Sequence, residues 1–168
     1  VIATSSLDVH IAVIPDQAAP LKLPLGQLTP AERALAPPSG LGRHHFALGR
    51  AAAHEALGGL LSAHARSPSM DVVRGSNGEP RVRIDGRPVG VRVSIAHSGE
   101  LAAACAWHDR EDVAAGVDVE RMTGASLETG DYLFSSREHG LLATTDVELS
   151  TAQLGAWTAK EAAWKALW

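Results

Sequence analysis

Two short segments near the end of the chain hold side chains suited to phosphoryl chemistry. Gly116-Val117-Asp118-Val119-Glu120 alternates apolar and acidic residues, so it reads as a strand with Asp118 and Glu120 on one face and Val117 and Val119 toward a core. Trp157-Thr158-Ala159-Lys160-Glu161-Ala162-Ala163-Trp164-Lys165 reads as a helix. Glu161 and Lys165, four apart, are neighbours on it, while Lys160 points about 100° away from Glu161. Together the segments would supply three oxygen ligands for a divalent cation and an ammonium for a phosphate. Each has a plainer reading taken alone. Two acids on one strand face are more often an exposed polar face, and Glu161 with Lys165 forms an ordinary surface ion pair.

Elements must bring these segments together. Leu7, Val9, Ile11 and Val13 alternate, which predicts an opening strand over 7–14, followed by a loop from Pro15 to Pro24. Thr29-Pro30-Ala31-Glu32 is a capping box with proline at the first helical position, so a short helix starts there, and Pro37-Pro38-Ser39-Gly40 ends it. A longer helix is expected from about Arg43 to His64, with Phe46, Ala53, Leu57, Leu60 and Leu61 on one stripe. Gly58-Gly59 weakens it by about 1 kcal/mol per glycine. Asn77-Gly78 and Asp85-Gly86 are hairpin turns. Val91, Val93 and Ile95 mark a half-buried strand broken by His97-Ser98-Gly99, and Leu101 to Trp107 is the strand that follows. His108 to Asp112 is the candidate junction, and Val113 to Glu120 is the next strand. A helix-prone stretch follows. Ser135 or Ser136 caps a helix to about Ala143, and the last helix runs from about Gln153 to the terminus.

Composition narrows the field. With 45% hydrophobic and 20% charged residues the chain has an ordinary globular balance, and no apolar run is long enough to span a bilayer. Val1 to Val13 lacks a basic leader, so no signal peptide is expected. The net charge of −4 argues against a general nucleic-acid binder. Residues 1–110 carry eleven Lys or Arg against nine Asp or Glu, and residues 111–168 carry four against ten. An anionic ligand with a metal would suit the boundary between them, although on charge alone uneven surface decoration is the simpler account. Cys105, the single cysteine, sits in an apolar run and reads as a buried structural thiol. The eight histidines form no zinc motif: after His54-Glu55, Gly58 stands where a second ligand is required, and His44-His45 puts adjacent rings on different helix sides. No Walker-type or dinucleotide-binding glycine loop is present, and Ser98 is not in a nucleophile elbow.

In this order the motifs resemble the 4′-phosphopantetheinyl transferases of the Sfp type. The resemblance rests on Thr29 to Arg33, Phe46 with Arg50, Gly78-Glu79-Pro80, Val93 to Gly99, Gly116 to Glu120, Phe134-Ser135 with Glu138, and Trp157 to Lys165. The last two, with the Asp-x-Glu strand, are specific as a set. The resemblance implies an α+β fold of two pseudo-symmetric halves, here 1–110 and 111–168, each a small, mainly antiparallel sheet packed on a long helix. It implies a cytoplasmic monomer whose partners are coenzyme A and an apo acyl- or peptidyl-carrier protein, with no nucleic acid and no membrane.

The implied reaction moves 4′-phosphopantetheine from coenzyme A to a carrier serine and releases adenosine 3′,5′-bisphosphate. By motif position, Asp118, Glu120 and Glu161 would hold Mg²⁺ or Mn²⁺. Glu161 and Lys165 would be catalytic, Arg50, His97 and Lys160 would bind phosphates of coenzyme A, and Glu138 would support the ligand shell or only its helix. Glu79 replaces the usual lysine, Ala96 replaces the first serine of Ser-His-Ser, and the family normally continues past the last motif. A non-catalytic coenzyme A or carrier-protein binding module of the same fold is the alternative. A structural domain, in which the three carboxylates never meet, is a third reading.

Overall fold

A computed structural model describes residues 9–15, 28–61, 70–122 and 133–167. Leu7, the loop after Pro15, the end of the long helix at His64, the helix-prone stretch after Met122 and the terminal Trp168 lie outside the described residues.

The architecture is α+β, with two small antiparallel sheets and four helices among the described residues. Strands β1 (Val9–Pro15), β5 (Val91–Ser98) and β6 (Leu101–His108) form one sheet in the order β1-β6-β5. Strands β2 (Met70–Arg74), β3 (Pro80–Ile84) and β4 (Arg87–Pro88) form the other in sequence order. The β3–β4 turn is the expected Asp85-Gly86 hairpin, with φ of 53° and 74° at its two central residues. All six strands precede Asp109. After it, the described residues contribute helices α3 (Ser136–Leu142) and α4 (Leu149–Ala166) and no strand.

The core lies between the first sheet and helix α2 (Gly40–Leu61). Ala52, Ala53, Ala56, Leu57 and Leu60 of α2 pack with Ala102, Ala104 and Ala106 of β6, and Met70, Val72 and Val82 extend the cluster into the second sheet. Alanines on both elements let helix and sheet approach closely. At Gly49 the fit is tighter still, since a Cβ there would stand 3.0 Å from Ile95 Cγ2. Phe46 departs from the expected core stripe: it is half-buried and carries the Arg50 guanidinium at 4.5 Å from its ring centroid.

Strand β1 is the opening strand that the alternation predicts. Its core-facing residue is Ala12, while Ile11 and Val13 are 67% and 57% exposed. As an edge strand, β1 turns its alternating branched residues away from α2.

Helix α1 (Pro30–Leu35) has the predicted capping box, with Thr29 Oγ1 accepting from Glu32 N and Glu32 returning an acceptor to Thr29 N. Glu32 does more than cap. It is fully buried, and Oε1 lies 2.9 Å from His54 Nε2 and 3.0 Å from Val72 N, tying α1 to α2 and β2. Burial works to raise its pKa, but the hydrogen bonds from His54 and the Val72 N–H outweigh that and hold the carboxyl below its ordinary value. Cys105 is buried as expected, and burial pushes its thiol up to about 11. No helix among the described residues is long and apolar enough to cross a membrane.

Candidate active site

A cleft of about 600 Å³ runs along β5, between α2 with the β2–β3 hairpin and the C-terminal turns of α4. Arg50, His97, Glu161 and Lys165 all line it, from three elements far apart in sequence. Helical spacing puts Phe46 and Arg50 on one face of α2, and the cation–π contact steadies the guanidinium against the wall. Arg50 Nε is buried and has no hydrogen-bond partner. Burial pulls the pKa of Arg50 down, Arg74 adds to that, and Glu32 opposes it. His97 stands near the end of β5. Its pKa is lowered by burial and then by the neighbouring His45 and Lys165.

The segment carrying Asp118 and Glu120 is not the strand that its alternation predicts. Residues 113–122 join neither sheet. They are positioned by two local contacts instead. Gly116 lies against α4 so closely that a Cβ would fall 2.0 Å from Ala162 O, and Val117 N donates to Ser94 Oγ at 3.2 Å. The side chain of Asp118 is thereby 8% exposed. Its Oδ1 accepts from Lys165 Nζ at 2.5 Å, and Oδ2 is buried with no partner. Glu120 is exposed and accepts from Ser98 Oγ at 2.9 Å.

The three carboxylates therefore reach the region by different routes. Glu161 lines the cleft, Asp118 is joined to it through Lys165, and Glu120 through Ser98 at the end of β5. Their chemistry suits a hard divalent cation, and Asp118 Oδ2 is an acceptor still without a donor. Their placement is looser: among the described residues no three His, Cys, Asp or Glu side chains are close enough to hold a metal ion. The cation beside Asp118 is the Lys165 ammonium.

Asp118 and Glu120 stand beside the cleft rather than on its lining, and Lys160 is turned away from it. Its Nζ donates to Leu133 O at 2.8 Å, pairs with Glu138 Oε1 at 2.8 Å and lies 4.9 Å from the Phe134 ring centroid. The angular offset from Glu161 around the helix sends it toward α3. There the Lys160 ammonium, with the Ser135 backbone and hydroxyl, holds the Glu138 carboxyl down at about 2. Glu138 also completes a capping box with Ser135, one of the two expected caps of α3.

Glu79 lines the cleft but is not a free anion in it. Oε1 accepts from Arg81 Nε at 2.8 Å and Oε2 from Asn77 N at 3.0 Å, and the Arg81 bond leads in lowering its pKa. The side chain braces the β2–β3 turn that Gly75 N closes on Glu79 O.

Among the lining residues that sequence reasoning missed are His45, Arg74 and Trp107. His45 had a usable signal, lying next to Phe46 in sequence and one turn before Gly49 on the helix that carries Arg50. Arg74 and Trp107 had none, because only the packing of β2 and β6 turns them to the cleft.

No family model matches the chain, and no curated protein matches it. Solved structures similar to it include the ACPS-CoA complex of Chronobacterium ammoniagenes, at 17% identity over 63% of this chain and 100% of that one, with a TM-score of 0.46. Another is the acyl carrier protein synthase AcpS of Mycobacterium tuberculosis, at 25% identity over 60% of this chain and 94% of that one, with a TM-score of 0.40.

Proposed function

We propose that the chain is a 4′-phosphopantetheinyl transferase of the two-half, Sfp-like kind, its parts 1–110 and 111–168 meeting on coenzyme A. The observation that carries this reading is the convergence of Arg50, His97, Glu161 and Lys165 on one cleft, with a buried Arg50 Nε that lacks an acceptor. A ligand rich in phosphate satisfies that donor. The motif order along the sequence supplies the identity of the ligand.

In the reaction proposed, the hydroxyl oxygen of a carrier serine forms a bond to the phosphorus bearing pantetheine. The bond from that phosphorus to the bridging oxygen breaks, and adenosine 3′,5′-bisphosphate departs with the electron pair. Glu161 takes the serine proton, and Lys165 faces the charge that grows on the phosphates. Arg50 and His97 hold the coenzyme in line. Asp118, Glu120 and Glu161 would hold Mg²⁺, which when bound neutralises charge on the diphosphate.

A second reading, a coenzyme A or carrier-binding module without transfer, is favoured by two observations: Lys165 is engaged by Asp118, and the three carboxylates do not converge. One experiment separates the two. The chain is incubated with coenzyme A, Mg²⁺ and apo carrier proteins of fatty-acid, polyketide, nonribosomal-peptide and lysine-pathway type. Transfer adds one phosphopantetheine to the mass of at least one carrier and stops when the metal is chelated. Coenzyme A binding with no mass gain on any carrier leaves the binding module.

A further inference from the structure

The cleft holds basic side chains that the proposed reaction does not use, His45, Arg74 and Arg92 among them. His45 lines it from α2, beside Phe46 and one helical turn before Gly49. Its ring stacks on that of His97, with centroids 4.6 Å apart and 30° between the planes. Its Nε2 is buried and has no hydrogen-bond partner, as is true of Arg50 Nε on the same helix. A buried polar nitrogen left without a partner is unfavourable, so three of them on residues lining one cleft, with Trp107 Nε1 the third, mark a surface completed by a ligand.

The charges point the same way. His45, His97, Arg50 and Lys165 all line the cleft, and His45 and Lys165 both disfavour the charged form of His97. Basic groups that oppose one another in this way are reconciled by an anion placed among them. The stack fixes the plane of the His45 ring, so its nitrogen is aimed before the ligand arrives.

We propose that His45 is a direct ligand-binding residue, its Nε2 hydrogen-bonding a phosphate oxygen of coenzyme A while its ring is held against His97. This inference rests on coenzyme A being the ligand of the cleft. Calorimetric titration of coenzyme A into the whole chain tests it with His45→Phe, which keeps a ring for the stack and removes the nitrogen, and with His45→Gln, which keeps an N–H donor.

His45→Phe is expected to weaken binding about tenfold, the scale of one charge-assisted hydrogen bond, and His45→Gln to weaken it less. In turnover assays the loss in kcat/KM falls on KM. A parallel titration with dephospho-coenzyme A identifies the group touched: an equal loss assigns the diphosphate, and a loss confined to coenzyme A assigns the 3′-phosphate. Binding by both variants as tight as wild type overturns the inference. So does a fall in kcat with unchanged affinity, which would take His45 out of coenzyme A binding. If the unsubstituted chain binds no coenzyme A, the proposed function falls first.

Discussion

Residues 9–108 and residues 111–167 are held together in different ways. In the first part α2 alone buries nine residues, and they interlock with two sheets. In the second part neither α3 nor α4 buries any residue, and Leu141, Val147, Leu149, Trp164 and Leu167 are exposed. Among the contacts that fix the second part are discrete ones: Gly116 on Ala162, Val117 on Ser94, Glu120 on Ser98, Lys165 on Asp118 and Lys160 on Glu138. The scaffold therefore supplies Arg50 and His97 on a dense core, while Asp118, Glu120 and Glu161 sit on the lightly tethered part. Substitutions in the second part are expected to change activity before they change global stability.

The largest break should come at Gly116. A methyl group there collides with the Ala162 carbonyl, so Gly116→Ala displaces α4 and carries Glu161 and Lys165 with it. A displacement of about 1 Å is enough to lower carrier labelling by about 100-fold. Hydrogen exchange reads the comparison directly: α4 amides lose protection while α2 and β6 keep theirs. Uniform loss in both parts would show that they fold as one unit.

Glu161→Gln should lower turnover by about 100-fold or more at an unchanged Tm, if the carboxylate takes the serine proton. Full turnover by this variant would remove Glu161 from the reaction. Lys165→Met tests the tether and the chemistry together. It leaves the Asp118 carboxylate buried without its partner, at a cost of about 1–3 kcal/mol, and adding Asp118→Asn recovers most of that stability without recovering labelling. Independent, additive losses would mean that the pair is not coupled.

The same contrast governs what was legible beforehand. The Thr29 capping box, the serine cap of α3, the Asp85-Gly86 hairpin and the β5–β6 pair were readable because each signal is local: a cap, a turn and an alternation within a few residues. The segment 113–120 misled because alternation describes side chains, whereas a strand needs a neighbour for its backbone, and here one N–H finds the Ser94 hydroxyl instead. The helix carrying Glu161 begins at Leu149, four residues before the expected Gln153, since neither glycine nor proline interrupts those positions. Glu161 and Lys165 read as a pair at helical spacing, but the lysine is taken by Asp118, 47 residues away in sequence. That choice belongs to tertiary packing. The cleft itself follows from the meeting of β5, α2 and α4, which no single segment encodes.

Acid separates the two parts most finely. Glu32 in the first part and Glu138 in the second both have pKa values below the ordinary 4.5 in the folded protein, so the folded state binds fewer protons than the unfolded state. The stability each contributes is present above about pH 4.5 and is lost as pH falls through its folded value, which for Glu138 is about 2. Glu32 is fully buried at the junction of α1, α2 and β2, so Glu32→Gln should flatten the acid loss of Tm for the whole chain, and salt should leave that change in place. Glu138 is 37% exposed and pairs with a Lys160 that is 40% exposed, so its effect is screened. Glu138→Gln should raise exchange only in α3 and the facing turns of α4, below the resolution of a melting curve, and 1 M salt should produce the same change in the unsubstituted chain. A Tm shift from Glu138→Gln as large as that from Glu32→Gln would mean that the second part is built into the core after all.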